Sequence, residues 1–152
     1  MTIRDRIWWW LGFSALCLIA FWAGLAGFWT AQRDPPLRIE SRLLTPEVPP
    51  GGGVRVEHTA YRSDACQLTV ERAIIDADRV LFRIEDTLYF AGRTPAGESD
   101  SFVEDTAVPL AARPGPARLR ETLIHVCNPI HRLWPVTQRL PDIPFVVTER
   151  AE

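Results

Sequence analysis

The sequence predicts one transmembrane α-helix followed by an all-β domain, an immunoglobulin-like two-sheet sandwich held by one disulfide. Three observations lead there: an uncharged apolar run from Ile7 to Trp29, period-two alternation from Val54 onward, and Cys66 and Cys127 on strand-like segments. The chain of 152 residues is long enough for one compact domain after the helix.

The apolar run, IWWWLGFSALCLIAFWAGLAGFW, carries no charge and no Pro. A helix of that length reaches roughly 35 Å, enough to cross a hydrocarbon core of about 30 Å with some tilt. Trp8, Trp9, Trp10 and Trp29 crowd its ends, where indoles favour the headgroup level. Gly24-Leu25-Ala26 is a poor cleavage site, and the apolar run continues past it through Trp29, so an uncleaved anchor is expected rather than a signal peptide. The expected organisation is a short cytoplasmic tail over 1–6, the transmembrane helix over 7–31, a Pro/Gly-rich stalk over 34–53 and the sandwich over 54–149.

Ala23, Gly27 and Ala31 recur at four-residue spacing, a pattern that lets two helices approach closely. This stripe is the expected helix-packing face, for a second copy or for another membrane subunit. Cys17, within the span, reads as an apolar filler. Asp34-Pro35-Pro36 ends the helix, because Pro cannot continue it. In the expected stalk, 37–44 reads as a strand or short turn, and TPEVPPGGG over 45–53 is stiff at Pro and loose at Gly.

From Val54, the residues Val54, Val56, His58 and Ala60 alternate with Arg55, Glu57, Thr59 and Tyr61; Cys66, Leu68 and Val70 then alternate with Gln67, Thr69 and Glu71. Residues 80–84 and 87–90 are short apolar runs, 93–100 is a polar loop, 102–110 is extended, and 117–127 reads as a long strand with Leu119, Leu123 and Cys127 on one face. Pro114-Gly115-Pro116 is a turn, and 143–148 closes the domain as a final strand. About seven strands with turn signals every 8–12 residues are the pattern of a sandwich. A Cys66–Cys127 bridge is expected to cross from sheet to sheet, with Phe82 in place of the usual core Trp.

Orientation follows from the cysteines, since the basic residues flanking the helix are nearly balanced. A disulfide persists in an oxidising compartment. The expected placement is the bacterial inner membrane, amino terminus in the cytoplasm and the domain in the periplasm.

Chemistry is sparse. Residues 34–152 carry 14 basic and 18 acidic groups, which leaves no electrostatic footprint for nucleic acid. All 17 basic residues are Arg. There is no Gly-rich phosphate loop, no nucleophile elbow and no HExxH, so no catalytic residue is assigned and no enzyme is expected. His125, Cys127 and His131 have metal-ligand residue types, but a bridged Cys127 has no thiolate to offer. Glu98, Asp100, Glu104 and Asp105 read as solvated surface. Neither metal nor cofactor is expected.

The most distinctive stretch is CNPIHRLWP over 127–135. One reading has Leu133 and Trp134 capping the open end of the sandwich; the other makes Arg132 and Trp134 an exposed anchor pair for a protein partner, since Trp and Arg dominate interface hot spots. With Pro114-Gly115-Pro116 before it, residues 110–147 resemble small membrane proteins encoded by bacteriophages of GC-rich hosts. That resemblance rests on no catalytic motif; it implies a phage source and nothing about mechanism, and only the context of such a source would suggest action on the host envelope, such as exclusion of other phages or lysis. The function expected from the residues is interaction, a recognition module held at the membrane. The alternatives are an accessory subunit of a larger membrane complex, docked through its helix, and an envelope metal-binding protein or enzyme.

Overall fold

Backbone groups that cannot reach water must bond within their own segment, and the uncharged run does so as a continuous helix, α1 (Ile3–Ala31). The structure, a computed structural model, describes residues 3–64, 66–89, 97 and 99–149. Within α1, Trp8–Ala31 is long and apolar enough to cross a membrane, and none of it is buried in protein. Trp9 stacks on Phe13 with ring centroids 5.7 Å apart. Residues 1 and 2 of the expected tail lie outside the described residues, as does most of the polar loop over 93–98.

From Pro35 onward the chain forms a second compact unit, a β domain of two sheets. The first sheet runs β1 (Leu37–Leu43), β3 (Gly53–Arg62), β7 (Ser99–Ala107). The second runs β2 (Glu47–Val48), β10 (Ile143–Val147), β8 (Gly115–Val126), β4 (Gln67–Ile75), β5 (Leu81–Arg83). Both neighbours of its central pair are broken strands. β5 and β6 (Thr87–Tyr89) lie along the outer edge of β4, and β9 (Val136–Arg139) and β10 lie along β8.

The sheets meet through alternating side chains. At one end Val54 and Val56 of β3 pack with Ile74, Leu119, Phe145 and Val147 of the second sheet, and Phe82 packs against this cluster. At the other, Leu37 of β1 joins Leu68, Val70, Leu123 and Leu140. Each fully buried side chain of this size contributes about 1.5–3 kcal/mol.

Two expectations need correction. Residues 34–53 are not a stalk. β1 pairs with β3 over seven positions and β2 pairs in parallel with β10, while Leu37 and Val48 are buried. The physical reason is that Leu37 and Ile39 keep the inward period, and the Pro/Gly-rich segment carries the chain from one sheet to the other. Its glycines are ordered: Gly51, at φ +86°, donates to Val108 O at 2.9 Å, and Val108 N donates to Gly52 O at 2.8 Å.

The Cys66–Cys127 disulfide is present, but it does not cross the core. Gln67 lies opposite Val126 in the β4–β8 ladder, so the next pair outward, Cys66 and Cys127, faces across two neighbouring strands of one sheet. Their Cα atoms are 4.4 Å apart, the spacing of a non-hydrogen-bonded antiparallel pair.

Candidate functional site

Period-two alternation places every second residue of a central strand between the sheets, whatever its polarity. On β3 that face runs Val54, Val56, His58; on β4 it runs Leu68, Val70, Arg72, Ile74; on β8 it runs Leu119, Glu121, Leu123. β7 adds Glu104. Four strands from two sheets therefore bring two carboxylates, a guanidinium and an imidazole together between the layers.

Arg72 is the hub. Its Nε donates to Glu121 Oε1 at 3.2 Å, one Nη donates to Thr87 Oγ1 at 2.8 Å, and the other makes a short contact with Glu104 Oε2. His58 Nδ1 sits 3.0 Å from Ser41 Oγ, and its Nε2 lies 3.7 Å from Glu121 Oε1 and 3.9 Å from Glu104 Oε2. Phe102 covers the imidazole at a centroid distance of 5.4 Å. His58 and Glu121 are each 3% exposed, and neither His58 Nε2 nor Glu121 Oε2 has a hydrogen-bond partner among the described residues.

Burial governs the protonation of this group. It pushes the Glu104 and Glu121 carboxyls above the usual range, opposed mainly by Arg72, and it pushes His58 down, opposed by Glu104. Burial also disfavours the Arg72 cation, but Glu104, Tyr89 and Glu121 outweigh it and the guanidinium is held more firmly protonated. Two carboxylates against one guanidinium leave a residual negative charge when both acids are ionised. Removing one member of a buried pair costs about 3–5 kcal/mol.

The cluster borders a cavity of about 470 Å³ between the sheets. Leu37, Ile39, Leu68 and Leu123 give it an apolar wall. Arg62, Arg72, Asp100, Glu104 and Glu121 line it as well, so among the described residues three acidic groups meet two basic ones there, while Asp105, opposite Arg55 and against Gly53, faces away. This is the chemistry of a site for an apolar group that carries a positive charge.

His58, Glu104 and Glu121 present donor atoms within 4.8 Å of one another, a spacing a metal ion could use. Arg72 already holds the two oxygens that face His58, so the arrangement is an ion-pair network with its cation built in.

The chain matches no family model and no curated protein. Among the solved structures with which the chain aligns are the following three. A β-glucosidase from Listeria innocua in complex with glucose aligns at 12% identity and a TM-score of 0.45, over 74% of this chain and 16% of that one. The sporulation control protein Spo0M of Bacillus subtilis aligns at 13% and 0.37, over 78% and 51%. A putative ApaA protein from Bordetella pertussis aligns at 14% and 0.37, over 76% and 94%. The chain thus spans about a sixth of the glucosidase and half of Spo0M, and likeness at this level says nothing of activity.

The residues singled out in the sequence lie apart from this cluster. Cys66 and Cys127 are bonded to each other, and Cys17 is a free thiol. Ala23, Gly27 and Ala31 are exposed along α1, and an added Cβ on Gly27 would meet nothing within 4 Å. His131 is buried, with Nδ1 accepting from Cys127 N at 3.3 Å and Nε2 3.2 Å from Asn128 Nδ2. It holds the turn after β8 rather than a metal. Leu133 and Trp134 do not cap the sandwich: Leu133 is 91% and Trp134 62% exposed, because the 3₁₀ turn Pro129–Arg132 throws them outward, and Arg132 is exposed beside them.

Glu104 corrects the reading of 98–105 as solvated surface, since it belongs to the buried network; Asp100 and Asp105 are exposed, and Glu98 lies outside the described residues. The network has a signal in sequence. Arg72 and Glu121 each stand at i±2 from two apolar residues of a strand, on the face that becomes the core.

Proposed function

We propose that this protein is a single-pass, membrane-anchored β-sandwich module for interaction at the cell envelope, without catalysis. The sandwich is immunoglobulin-like in its layering, and it works in the periplasm with the amino terminus in the cytoplasm of a bacterial inner membrane. Its partner is a protein that presents a positively charged side chain on an apolar segment to the cavity between the sheets. The observation that carries this reading is the acidic excess of that cavity, with Glu121 Oε2 buried and without a hydrogen-bond partner among the described residues. A buried acceptor left unmade costs about 1–3 kcal/mol, which a donating group from outside would recover.

The test is site-specific photo-crosslinking of the full chain in its native membrane. A crosslinker at Phe102, at the cavity mouth, is expected to give a discrete protein adduct that disappears in Asp100→Arg. The same group at exposed Val146, on β10, is expected to give none. Equal adducts at both positions, or an adduct indifferent to the charge reversal, would remove the cavity from the interaction.

A further inference from the structure

We infer that the Arg132–Leu133–Trp134 tip is a lipid-docking element that seats one end of the sandwich in the headgroup layer of the membrane that holds α1. The inference rests on the membrane-anchored reading above and extends it to a surface of the β domain.

The first observation is where the chain enters. Pro36 O accepts from Ser63 N at 2.8 Å and from Ser63 Oγ at 3.0 Å, and Leu37 begins β1 opposite Arg62, the last residue of β3. The same end holds the start of β4, because Gln67 lies opposite Val126 at the end of β8, with the Cys66–Cys127 bridge just beyond. The 3₁₀ turn follows that bridge directly, and β9 starts back at Val136 opposite His125. The tip therefore stands at the end of the domain through which the chain arrives. Only residues 32–36 separate Ala31 of α1 from β1, a reach of at most about 20 Å for extended chain.

The second observation is the chemistry of the tip. Leu133 and Trp134 are exposed to water at 91% and 62%, an unfavourable arrangement that an acyl–headgroup boundary relieves. Trp is the side chain that favours this boundary, and the adjacent exposed Arg132 is matched to lipid phosphates. The tip is also firmly held. Asn128 Oδ1 accepts from Ile130 N and His131 N, both at 3.1 Å, and the disulfide ties its base, so little ordering is left to be done on docking.

The experiment places a nitroxide at Leu133→Cys in a Cys17→Ser background, with the full chain in nanodiscs of phosphatidylcholine and phosphatidylglycerol. Collision with oxygen and with a water-soluble nickel complex is then compared. The label is expected to gain oxygen collisions and lose nickel collisions, while a label at Val146→Cys, at the opposite end of the sandwich, stays aqueous. An aqueous label at 133, with a label at Phe21→Cys reading lipid, would overturn the docking and leave the anchor standing. Should the Phe21 label also be aqueous, the anchor itself fails. A label at 133 screened from both agents would mean that protein covers the tip, which would equally overturn lipid docking.

Discussion

At the residue scale, the protonation of three buried groups, His58, Glu104 and Glu121, decides the character of the network. Burial lowers His58 below its ordinary 6.5, so its neutral form contributes stability that is present above that pH and lost as the pH falls through the lowered value. Glu104 and Glu121 run the other way. Raised above 4.5, they contribute stability that is present below 4.5 and lost as the pH rises through their raised values. His58→Gln isolates the imidazole. The destabilisation it causes is expected to be largest above pH 6.5 and to shrink on acidification, read as the difference in thermal midpoint from wild type between pH 5 and 8. A destabilisation that grows on acidification would instead place an imidazolium between the two carboxylates.

At the scale of elements, β8 is the spine of the domain. Its register against β4 brings Cys66 and Cys127 together, and its outer edge holds β9 and β10 in antiparallel pairing, with Asp142 in the connection between them. Asp142 accepts from Arg120 at 3.1–3.2 Å and from Arg139 at 3.2 Å; its hydrogen bond with Arg120 comes first among the causes that hold it below the usual carboxylate range. The disulfide joins residues 61 apart in sequence, a closure worth about 4 kcal/mol on the chain-entropy account. The double variant Cys66→Ser, Cys127→Ser is therefore expected to lose about that much stability in denaturant titration. Alkylation of the wild-type protein, followed by mass spectrometry, is expected to label Cys17 alone before reduction and all three cysteines after it. Labelling of all three at the outset would remove the bridge and, with it, the main support for an oxidising compartment.

At the scale of the whole molecule, the proposed anchor raises the question whether α1 packs against another helix. Ala23, Gly27 and Ala31 are exposed along the helix, and Gly27 has room for a larger side chain within this chain. Gly27→Leu is thus expected to leave the fold and membrane insertion intact. If the helix packs against a second copy or another subunit, the same change should shift the protein to a smaller species on native electrophoresis of mild-detergent extracts. An unchanged species would remove the small-residue face, and the accessory-subunit reading with it.

Much of this was legible in one dimension. Polarity alone marks Ile7–Trp29, since a long uncharged run has few other places to go, and alternation alone marks the strands, because a pleated chain shows each face every second residue. Tertiary structure decided what alternation leaves open, namely which strands are neighbours. That choice turned the bridge from a link between sheets into a link along one sheet, and it drew Leu37–Val48 out of a supposed stalk into both layers. It also gathered His58, Arg72, Glu104 and Glu121 from four strands separated by loops of different length. In sequence His58, Arg72 and Glu121 stand among the inward apolar residues of their strands and Glu104 in an acidic run, with nothing to say that they meet. Their charges acquire meaning only when pairing removes water from between them and leaves them to one another.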